Sequence, residues 1–493
     1  MKQLLTAIII SLAIAACSND DKFSISTADK LTFALDTVKM DTVFSKVPAP
    51  TKSFWIYNRS SASIRCSKVM LEQGNQTGFR VNVDGEFLSP EKGYALTDIE
   101  VRKGDSIRVF VEITSPEQGQ LSPKLVSDNL VFNLESGAQQ KVNLNAWSWD
   151  AERITNLVVK GEHTLSAGKP IIIYGGIKVD SASTLYINEG TTIYFHDGAG
   201  IDAYGKVISK GTAERPVTLR GDRLDRMFDY LPYDLVSGLW KGIHLYSSSM
   251  ENEITFTDIH STYDGVVCDS SSLDDLKLDL AYSTIHNCHG YGLKATHSVV
   301  NVTASQITNS FYDCVSANGG FVGITNCTIA QYYPFGNSLR GMALRFTDQC
   351  NTPQQVSYLG VNGFLCINTI ITGFDNDVIM GEMNDTTNTY GYKFQNCVLT
   401  TPEVQGDSVH FENVQWKGAL ADSTFVLISH ETQHYDFHLD TLSCAVGAAE
   451  AMYLPPHDRD GKPYNQQKPD IGCYSLSTSP KSNTKSFARR KEF

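Results

Sequence analysis

Hydrophobic residues follow two different patterns along the chain. From about residue 31 to residue 150, short segments alternate hydrophobic and polar positions, as in 54–57, 79–83 and 107–113, and glycine-containing turns separate them. A period of two indicates half-buried antiparallel strands. About seven such segments suit a β-sandwich. This region is therefore predicted to form two packed antiparallel sheets.

After residue 150 the pattern becomes a repeat. Ile285, Ile307 and Ile329 are 22 residues apart. Other hydrophobic positions keep the same register, namely Leu293 with Val315, Val300 with Val322, and Val302 with Ile324. Looser copies occur at 257–259, 368–370 and 396–398. Three short apolar strands per repeat, with asparagine at a fixed bend, predict a parallel β-helix whose coils stack on one another. Helical solenoids are excluded because their repeats are longer.

Several segments of this second region resemble bacterial right-handed parallel β-helix proteins. The segments 176–179, 185–193, 205–207, 211–219 and 240–243 look like the opening coils of that family, and 436–439, 458–461 and 469–474 resemble its closing signature. The resemblance covers about 157–474. It implies a right-handed parallel β-helix (solenoid), whereas the family itself includes lyases, glycosidases, epimerases and adhesins.

The first region resembles the immunoglobulin-like modules of Bacteroidota surface proteins. The resemblance rests on an aromatic strand at 54–57, the sequence Asn-Arg-Ser-Ser at 58–61 and a Lys-Gly-Asp hairpin at 103–105. Such modules space or present a partner domain. The chain is therefore expected to be all-β, with an immunoglobulin-like β-sandwich preceding the β-helix.

The N-terminus reads as a leader. Residues 4–16 are apolar, follow Lys2 and are too few to cross a bilayer. The sequence Ile-Ala-Ala-Cys at 14–17 resembles the bacterial lipobox, which implies lipid attachment at Cys17. The acidic stretch at 18–21 resembles the surface-export signal of Bacteroidota lipoproteins. We therefore expect an outer-membrane lipoprotein that faces outwards.

The expected domain organisation follows from these features. It comprises a signal peptide (1–17), a linker (18–30), the sandwich (31–150), the β-helix with its closing segment (151–474) and a disordered tail (475–493).

The net charge limits the partners that the chain can bind, and the cysteine pattern limits its metal sites and disulfides. The formal net charge is −13, which disfavours nucleic acid. The 11 cysteines include no Cys-x-x-Cys pair and no zinc spacing. Cys288, Cys327 and Cys397 each follow an asparagine, which suggests one repeated structural position. The thiols other than that of Cys17 are expected to be mostly buried and free rather than in disulfides.

No complete catalytic or metal-binding set is recognised. Pectin-degrading hydrolases of this fold use paired aspartates, but Asp274 and Asp275 lie in a serine-rich insert, and His289 lacks the glycine that precedes the histidine of their motif. Three further groups are interpreted as structural: His286 with Cys288 and His289; His430 with His434 and His438; and the turn 458–461. Catalytic, metal and cofactor residues are therefore not assigned. Ca²⁺ would be required only if the protein were a lyase.

Two features are the candidates for binding. The charged and aromatic excursion 222–234 interrupts the coils, and such insertions often shape a groove. Stacked aromatic rings beside carboxylates suit sugar rings. The candidate glycan contacts are Tyr263, Asp264, Tyr291, Lys294, Tyr312 and Asp313.

The expected function is carbohydrate binding or presentation without catalysis, with a polysaccharide and the outer membrane as partners. Two alternatives stay open. One is a carbohydrate-active enzyme, a polysaccharide lyase or glycoside hydrolase, that acts in a groove on the β-helix. The other is a structural or adhesive spacer.

Overall fold

The computed structural model describes residues 22–228, 230–335, 339–348, 363–382, 391–418 and 424–476. The expected signal peptide with Cys17, and residues 477–493 of the expected tail (475–493), lie outside these residues. The chain divides into two compact units between Ala151 and Glu152. Across the described ranges, the chain forms no helix with the length and hydropathy needed to span a bilayer.

The first unit consists of two sheets around one hydrophobic core. One sheet has the strand order Thr32–Phe33, Lys52–Tyr57, Ser106–Ile113, Phe79–Val83, Glu86–Phe87. The other has the order Thr37–Phe44, Gln139–Trp149, Lys124–Leu134, Ile64–Leu71, Ala95–Leu96, and Ile99–Val101 also pairs with Ile64–Leu71. A 3₁₀ turn spans Pro90–Lys92. Alternate residues of each long strand are buried, because only one face of each sheet meets the core.

The second unit is a parallel β-helix, as the repeat predicts. Each coil contributes one strand to each of three parallel ladders, which we call faces 1, 2 and 3 in chain order. Face 1 contains Glu162–Leu165, Thr184–Asn188, Lys206–Lys210, Asn252–Thr255, Leu276–Ala281, Val299–Thr303, Phe321–Thr325, Phe364–Ile367, Tyr392–Gln395 and Phe411–Glu412. Face 2 contains Thr192–Phe195, Val217–Gly221, Thr257–His260, Thr284–Cys288, Gln306–Ser310, Thr328–Gln331, Ile370–Gly373, Val398–Thr400 and Gln415–Lys417. Face 3 contains Ile201–Ala203, Ile243–Leu245, Val266–Cys268, Leu293–Thr296, Val315–Asn318, Leu344–Thr347 and Ile379–Glu382.

The remaining strands lie at the ends of the ladders or outside them. Ile171–Val179 begins both faces 2 and 3, and Glu152–Val159 pairs with it. Short antiparallel pairs join Arg226–Phe228 to Leu231–Pro232 and Phe425–Ser429 to His434–Leu439. Further 3₁₀ turns span Tyr233–Leu235 and Ala451–Tyr453.

The inner columns confirm the predicted register. Ile285 pairs with Ile307, and Ile307 pairs with Ile329 on face 2. The three other aligned pairs are also register partners: Leu293 with Val315, Val300 with Val322, and Val302 with Ile324. All of these side chains are buried in one core. Stacking identical aliphatic positions fills the interior of every coil in the same way.

The corner between faces 1 and 2 keeps the same backbone conformation and similar residue types in successive coils. Its first residue has a positive φ in successive coils, at Phe256, Tyr282, Ala304, Asn326, Asn368, Asn396 and Asn413. The next residue is small and buried, at Thr257, Ser283, Ser305, Cys327 and Thr369. The backbone amide of each residue in this second series donates to the side chain of the next: Thr257 to Ser283 (3.1 Å), Ser283 to Ser305 (3.1 Å), Ser305 to Cys327 (3.5 Å) and Cys327 to Thr369 (3.1 Å). This ladder satisfies amides that the bend removes from the sheets.

The cysteines mostly occupy such packing positions, as expected. The nine described cysteines are free, and all but Cys444 are buried. The prediction that Cys288, Cys327 and Cys397 share one position is confirmed for Cys327 and Cys397, which follow the corner residues Asn326 and Asn396, but it was wrong for Cys288. Cys288 ends a face 2 strand and pairs with Ser310. Asn287, which precedes Cys288, and Asn326 share a left-handed conformation, but they lie at different corners.

The C-terminal segment 424–476 covers the outer side of face 2 in the later coils. Several outward residues there are apolar, and Ala330, Ile370 and Val398 form a cluster with Phe437 and Ile471. In the earlier coils the outward residues are polar, namely Asp258, Thr284 and Gln306. The change from polar to apolar therefore fixes where the segment packs.

The amide ladder gives a test of the fold. Ser305→Ala leaves the Ser283 amide without its buried acceptor, so we expect the free energy of unfolding to fall by about 1–2 kcal/mol. Ser305→Cys should lose much less, because a cysteine fills the same position one coil later. Urea unfolding measures both variants. An equal loss for Cys and Ala would contradict the role of the ladder.

Candidate functional site

Five of the six predicted glycan contacts lie at the corner between faces 2 and 3, on three successive coils, and the sixth, Lys294, lies in the face 3 strand that follows Tyr291. Their columns explain the uneven spacing of the tyrosines. The Gly290 amide donates to the Tyr263 carbonyl (2.6 Å), and the Tyr312 amide donates to the Gly290 carbonyl (3.0 Å). Tyr263 and Tyr312 thus share a column with Gly290 between them, whereas Tyr291 is one residue further along its coil.

Aromatic rings cover this corner. The Tyr291 and Tyr312 ring centroids are 5.2 Å apart, and the Lys294 ammonium lies 4.8 Å from the Tyr291 centroid. Further ring contacts run from Tyr263 to His289 (5.3 Å), from His289 to Phe311 (5.6 Å) and from Phe311 to Tyr312 (5.3 Å). Tyr263 and Tyr312 are 47% and 43% exposed. We call this set the aromatic corner; it consists of Tyr263, His289, Tyr291, Lys294, Phe311 and Tyr312.

The two aspartates of the corner hold its backbone. Asp264 Oδ1 accepts the Tyr291 amide (2.8 Å), and Asp313 Oδ1 accepts the Met342 amide (2.8 Å). Asp313 Oδ2 also pairs with Arg345 Nε (2.9 Å). Burial raises the pKa of both carboxyls, and these hydrogen bonds only partly offset it. Asp313 is itself buried, so it orients the turn that carries Tyr312.

A small cavity and a second aromatic stack adjoin the corner on face 3. The cavity measures about 210 Å³, and its polar lining comes from Asp202, Lys241, His244 and Asp264, with Tyr263 at its edge. Beside it, Tyr246 stacks on His244 (4.0 Å) and on Tyr204 (4.2 Å). This stack was not predicted from the sequence. In the sequence, the feature that indicates the stack is a tyrosine directly after each of the register partners Ala203 and Leu245, namely Tyr204 and Tyr246.

A separate groove of about 370 Å³ lies on face 2, beside the C-terminal segment. At one end, Asp258 Oδ1 lies 2.9 Å from His260 Nδ1 and 3.3 Å from His286 Nε2. The two imidazole centroids are 4.8 Å apart, because His260 and His286 are register partners on adjacent strands. Asp234, from the excursion, reaches His260 Nε2 (3.3 Å) and Arg220 (2.5 Å). We call Asp258, His260 and His286 the Asp–His cluster.

This grouping differs from the one that the sequence suggested. His286 had been considered with Cys288 and His289, but Cys288 points into the core and His289 contacts Tyr263 at the aromatic corner. Asp274 and Asp275 are exposed in their loop, as expected. The excursion 222–234 is described except at residue 229, and its Asp234 contacts His260 of the Asp–His cluster.

The far side of the groove belongs to the C-terminal segment. Arg459 Nε donates to Thr284 Oγ1 (2.9 Å), and the Tyr474 hydroxyl donates to Gln306 Oε1 (2.8 Å). Asp458 accepts the amides of residues 460, 462 and 475, which closes the expected turn. Asn309 also lines the groove, is 3% exposed, and its side-chain carbonyl has no hydrogen-bond donor among the described residues.

The charges of the Asp–His cluster stabilise one another. Burial alone would lower the pKa of His260, but Asp258 and Asp234 outweigh it and raise the pKa to about 9. Burial would likewise raise the pKa of Asp258, yet the two imidazoles hold it well below its usual value. The cluster is therefore a compact network of opposite charges.

Comparisons with known proteins give no family. No family model and no curated protein matches the chain. Among solved structures, it is similar to the pectate lyase Pel9A at 11% identity, with a TM-score of 0.27 over 67% of this chain and 88% of that one. It is also similar to the Agl-KA catalytic domain (10%, TM-score 0.21, 75% and 76%) and to the catalytic domain of a GH87 alpha-1,3-glucanase (12%, TM-score 0.16, 79% and 90%). Similarities this weak say nothing about activity.

A second imidazole, half-buried and paired with carboxylates, provides a test of how the C-terminal segment is held. His438 lies between Asp436 (2.6 Å) and Asp460 (2.9 Å). Burial would lower the pKa of His438, but these carboxylates raise it from 6.5 to about 9. Its contribution to stability is therefore complete below about pH 6.5 and is lost as the pH rises through about 9.

We expect His438→Gln to lower the free energy of unfolding by about 1 kcal/mol near pH 6, a value reduced for solvent screening because the side chain is 37% exposed. The deficit should vanish near pH 10. Denaturant unfolding from pH 6 to 10 measures it, with His434→Gln on the same hairpin as the control. A deficit that does not change with pH would contradict the ion-pair account.

Proposed function

We propose that this protein is a lipid-anchored cell-surface protein that binds carbohydrate at the aromatic corner of its β-helix, without catalysis. The exposed rings of Tyr263 and Tyr312 carry the proposal. Sugar rings present apolar faces that pack on aromatic side chains, while their hydroxyls need polar neighbours. The corner offers both, because Asp202 and Lys241 line the adjoining cavity.

The roles of the aspartates support binding rather than cleavage at this corner. A glycosidase needs two carboxyl groups that face the substrate as acid and base. Asp313 is buried, and its oxygens already bond the Met342 amide and Arg345. Asp264 bonds the Tyr291 amide. These carboxylates hold the surface in shape, which is the task of a binding site.

The charge of the chain favours neutral glycans over strongly anionic ones. The formal net charge is −13, so long-range steering would repel a polyanion. Lys294 and Lys241 supply local positive charge, and they suit single carboxylates on an otherwise neutral polymer.

The cell-surface part of the proposal rests on the sequence of residues 1–21, which resembles a Bacteroidota lipoprotein leader. The strand order of the first unit supports the accompanying immunoglobulin-like module. Its first sheet pairs Lys52–Tyr57 with Ser106–Ile113, and the other sheet runs Gln139–Trp149, Lys124–Leu134, Ile64–Leu71. We assign the first two as strands B and E, and the other three as strands G, F and C, of the proposed immunoglobulin-like module.

A second candidate function is cleavage of a glycan in the face 2 groove. The observation that favours it is the Asp–His cluster, where a carboxylate and two imidazoles meet at the edge of a groove. Such groups can transfer protons. Incubation with polysaccharides distinguishes the two functions, because cleavage produces new chain ends whereas binding alone produces none.

Glycan binding is tested by retention on a panel of neutral and acidic polysaccharides. We expect the full-length protein to be retained on at least one of them without new chain ends. Replacing Tyr263 and Tyr312 together by alanine should weaken retention by about tenfold or more, since each stacked ring contributes about 0.5–1.5 kcal/mol beyond its buried area.

Tyr186→Ala is the matched control, because Tyr186 lies on face 1, away from the corner. Undiminished retention of the double variant would contradict the proposed site. New chain ends would favour the enzyme, and failure to bind any glycan would favour a spacer or an adhesin for protein.

The lipid anchor is tested by labelling cells with a radioactive fatty acid. Label should be incorporated into the wild-type chain and lost in Cys17→Ala, because the Cys17 thiol is the proposed acceptor. Cys444→Ala, at a partly exposed cysteine, should keep the label. Label that persists in Cys17→Ala would refute the anchor.

A further inference from the structure

The Asp–His cluster has a composition and spacing that the glycan proposal does not use. Asp258, His260 and His286 each offer one ligand atom, and these atoms all lie within 4.8 Å of one another. The two strands that carry them are adjacent on face 2, so the fold itself brings the three groups together.

We infer that Asp258, His260 and His286 bind a divalent cation of the Zn²⁺ class. Imidazole nitrogen and carboxylate oxygen are the ligands that zinc and its neighbours in the late transition series take, whereas Ca²⁺ and Mg²⁺ require oxygen. The site is separate from the aromatic corner and does not depend on glycan binding.

The distances fit this assignment. Two ligands of one zinc ion, each about 2.0–2.1 Å from the metal in tetrahedral geometry, lie about 3.3 Å apart. Asp258 Oδ1 lies 2.9 Å from His260 Nδ1 and 3.3 Å from His286 Nε2. The third edge, between the imidazoles, must shorten. His286 can make this adjustment because its side chain is 22% exposed at the groove.

The next layer of residues also fits. A histidine that binds metal through one nitrogen usually donates its other N–H to a carboxylate, which orients the ring. His260 presents Nδ1 to the cluster and Nε2 to Asp234, 3.3 Å away. Arg220 in turn holds Asp234 (2.5 Å). In the structure a hydrogen bond joins His260 Nδ1 to Asp258 Oδ1 (2.9 Å), so a cation would replace the proton that His260 shares with Asp258.

The groove leaves room for a fourth ligand. Asp258 and His286 both line it, together with Thr308 and Asn309. Asn309, whose side-chain carbonyl has no hydrogen-bond donor among the described residues, adds a polar side chain to this lining. Three protein ligands with an open position toward a groove are the arrangement of a zinc site that takes an external ligand.

His438 provides an internal comparison. It too lies between two aspartates, Asp436 and Asp460. There, however, the third group is Lys462, whose ammonium pairs with Asp460 at 2.9 Å. The Lys462 ammonium therefore contacts Asp460 as the His286 imidazole contacts Asp258 in the Asp–His cluster. Because the third group is an ammonium in one cluster and an imidazole in the other, the two clusters should differ in metal binding.

The inference is tested on the full-length chain purified in detergent and stripped of metal with a chelator. We expect calorimetry to show one Zn²⁺ bound per chain, and Co²⁺ to give the intense visible absorption of a four-coordinate site with nitrogen ligands. His286→Thr and Asp258→Thr should weaken binding by roughly 100-fold. Both substitutions insert the residue that the next coil carries at the same register, which preserves the fold.

His438→Gln is the control and should bind like the wild type. X-ray absorption of the zinc-loaded wild type should show two imidazole ligands, and this measurement needs no variant. The inference is overturned if the wild type binds no Zn²⁺, if fewer than two imidazoles are found, or if His286→Thr and Asp258→Thr bind as tightly as the wild type.

Discussion

Stacking of successive coils in one register is the constraint on which the second unit depends. Parallel strands bond only to neighbours about 4.8 Å away, so each coil must present its amides at the same places as the one before. The chain meets this requirement with buried aliphatic columns such as Ile285, Ile307 and Ile329 and with the hydroxyl and thiol ladder at one corner. Because inner and corner positions are fixed in this way, the outward positions and the loops are left to carry function.

The outward positions of face 2 divide into two stretches that behave differently. Late coils present Ala330, Ile370 and Val398, and the C-terminal segment covers them. Earlier coils present Asp258 and Gln306, which cannot be buried without polar partners. The groove forms where the covering segment leaves the apolar stretch and meets these polar residues. The placement of the Asp–His cluster at a groove is thus a consequence of how the segment packs.

The fold was accessible from the sequence to the extent that it repeats. The period of 22 residues gave the correct inner register, because buried positions tolerate little change. The Asp–His cluster was not predicted, because the 26 residues between His260 and His286 depart from the period of 22. Asp234, which contacts His260, lies in the excursion and therefore outside the repeat. Asn287 and Asn326 illustrate the same limit. Both have a positive φ, and only the pairing of strands shows that they lie at different corners.

The most direct test of the functional account is hydrogen–deuterium exchange of the full-length protein, with and without the polysaccharide that it retains best. Ligand bound to the aromatic corner should slow exchange in 261–265, 289–294 and 311–316, the segments that carry its rings, and leave face 1 and the first unit unchanged. Protection confined to the face 2 groove, to face 1 or to the first unit would contradict the assignment of the corner as the glycan-binding surface.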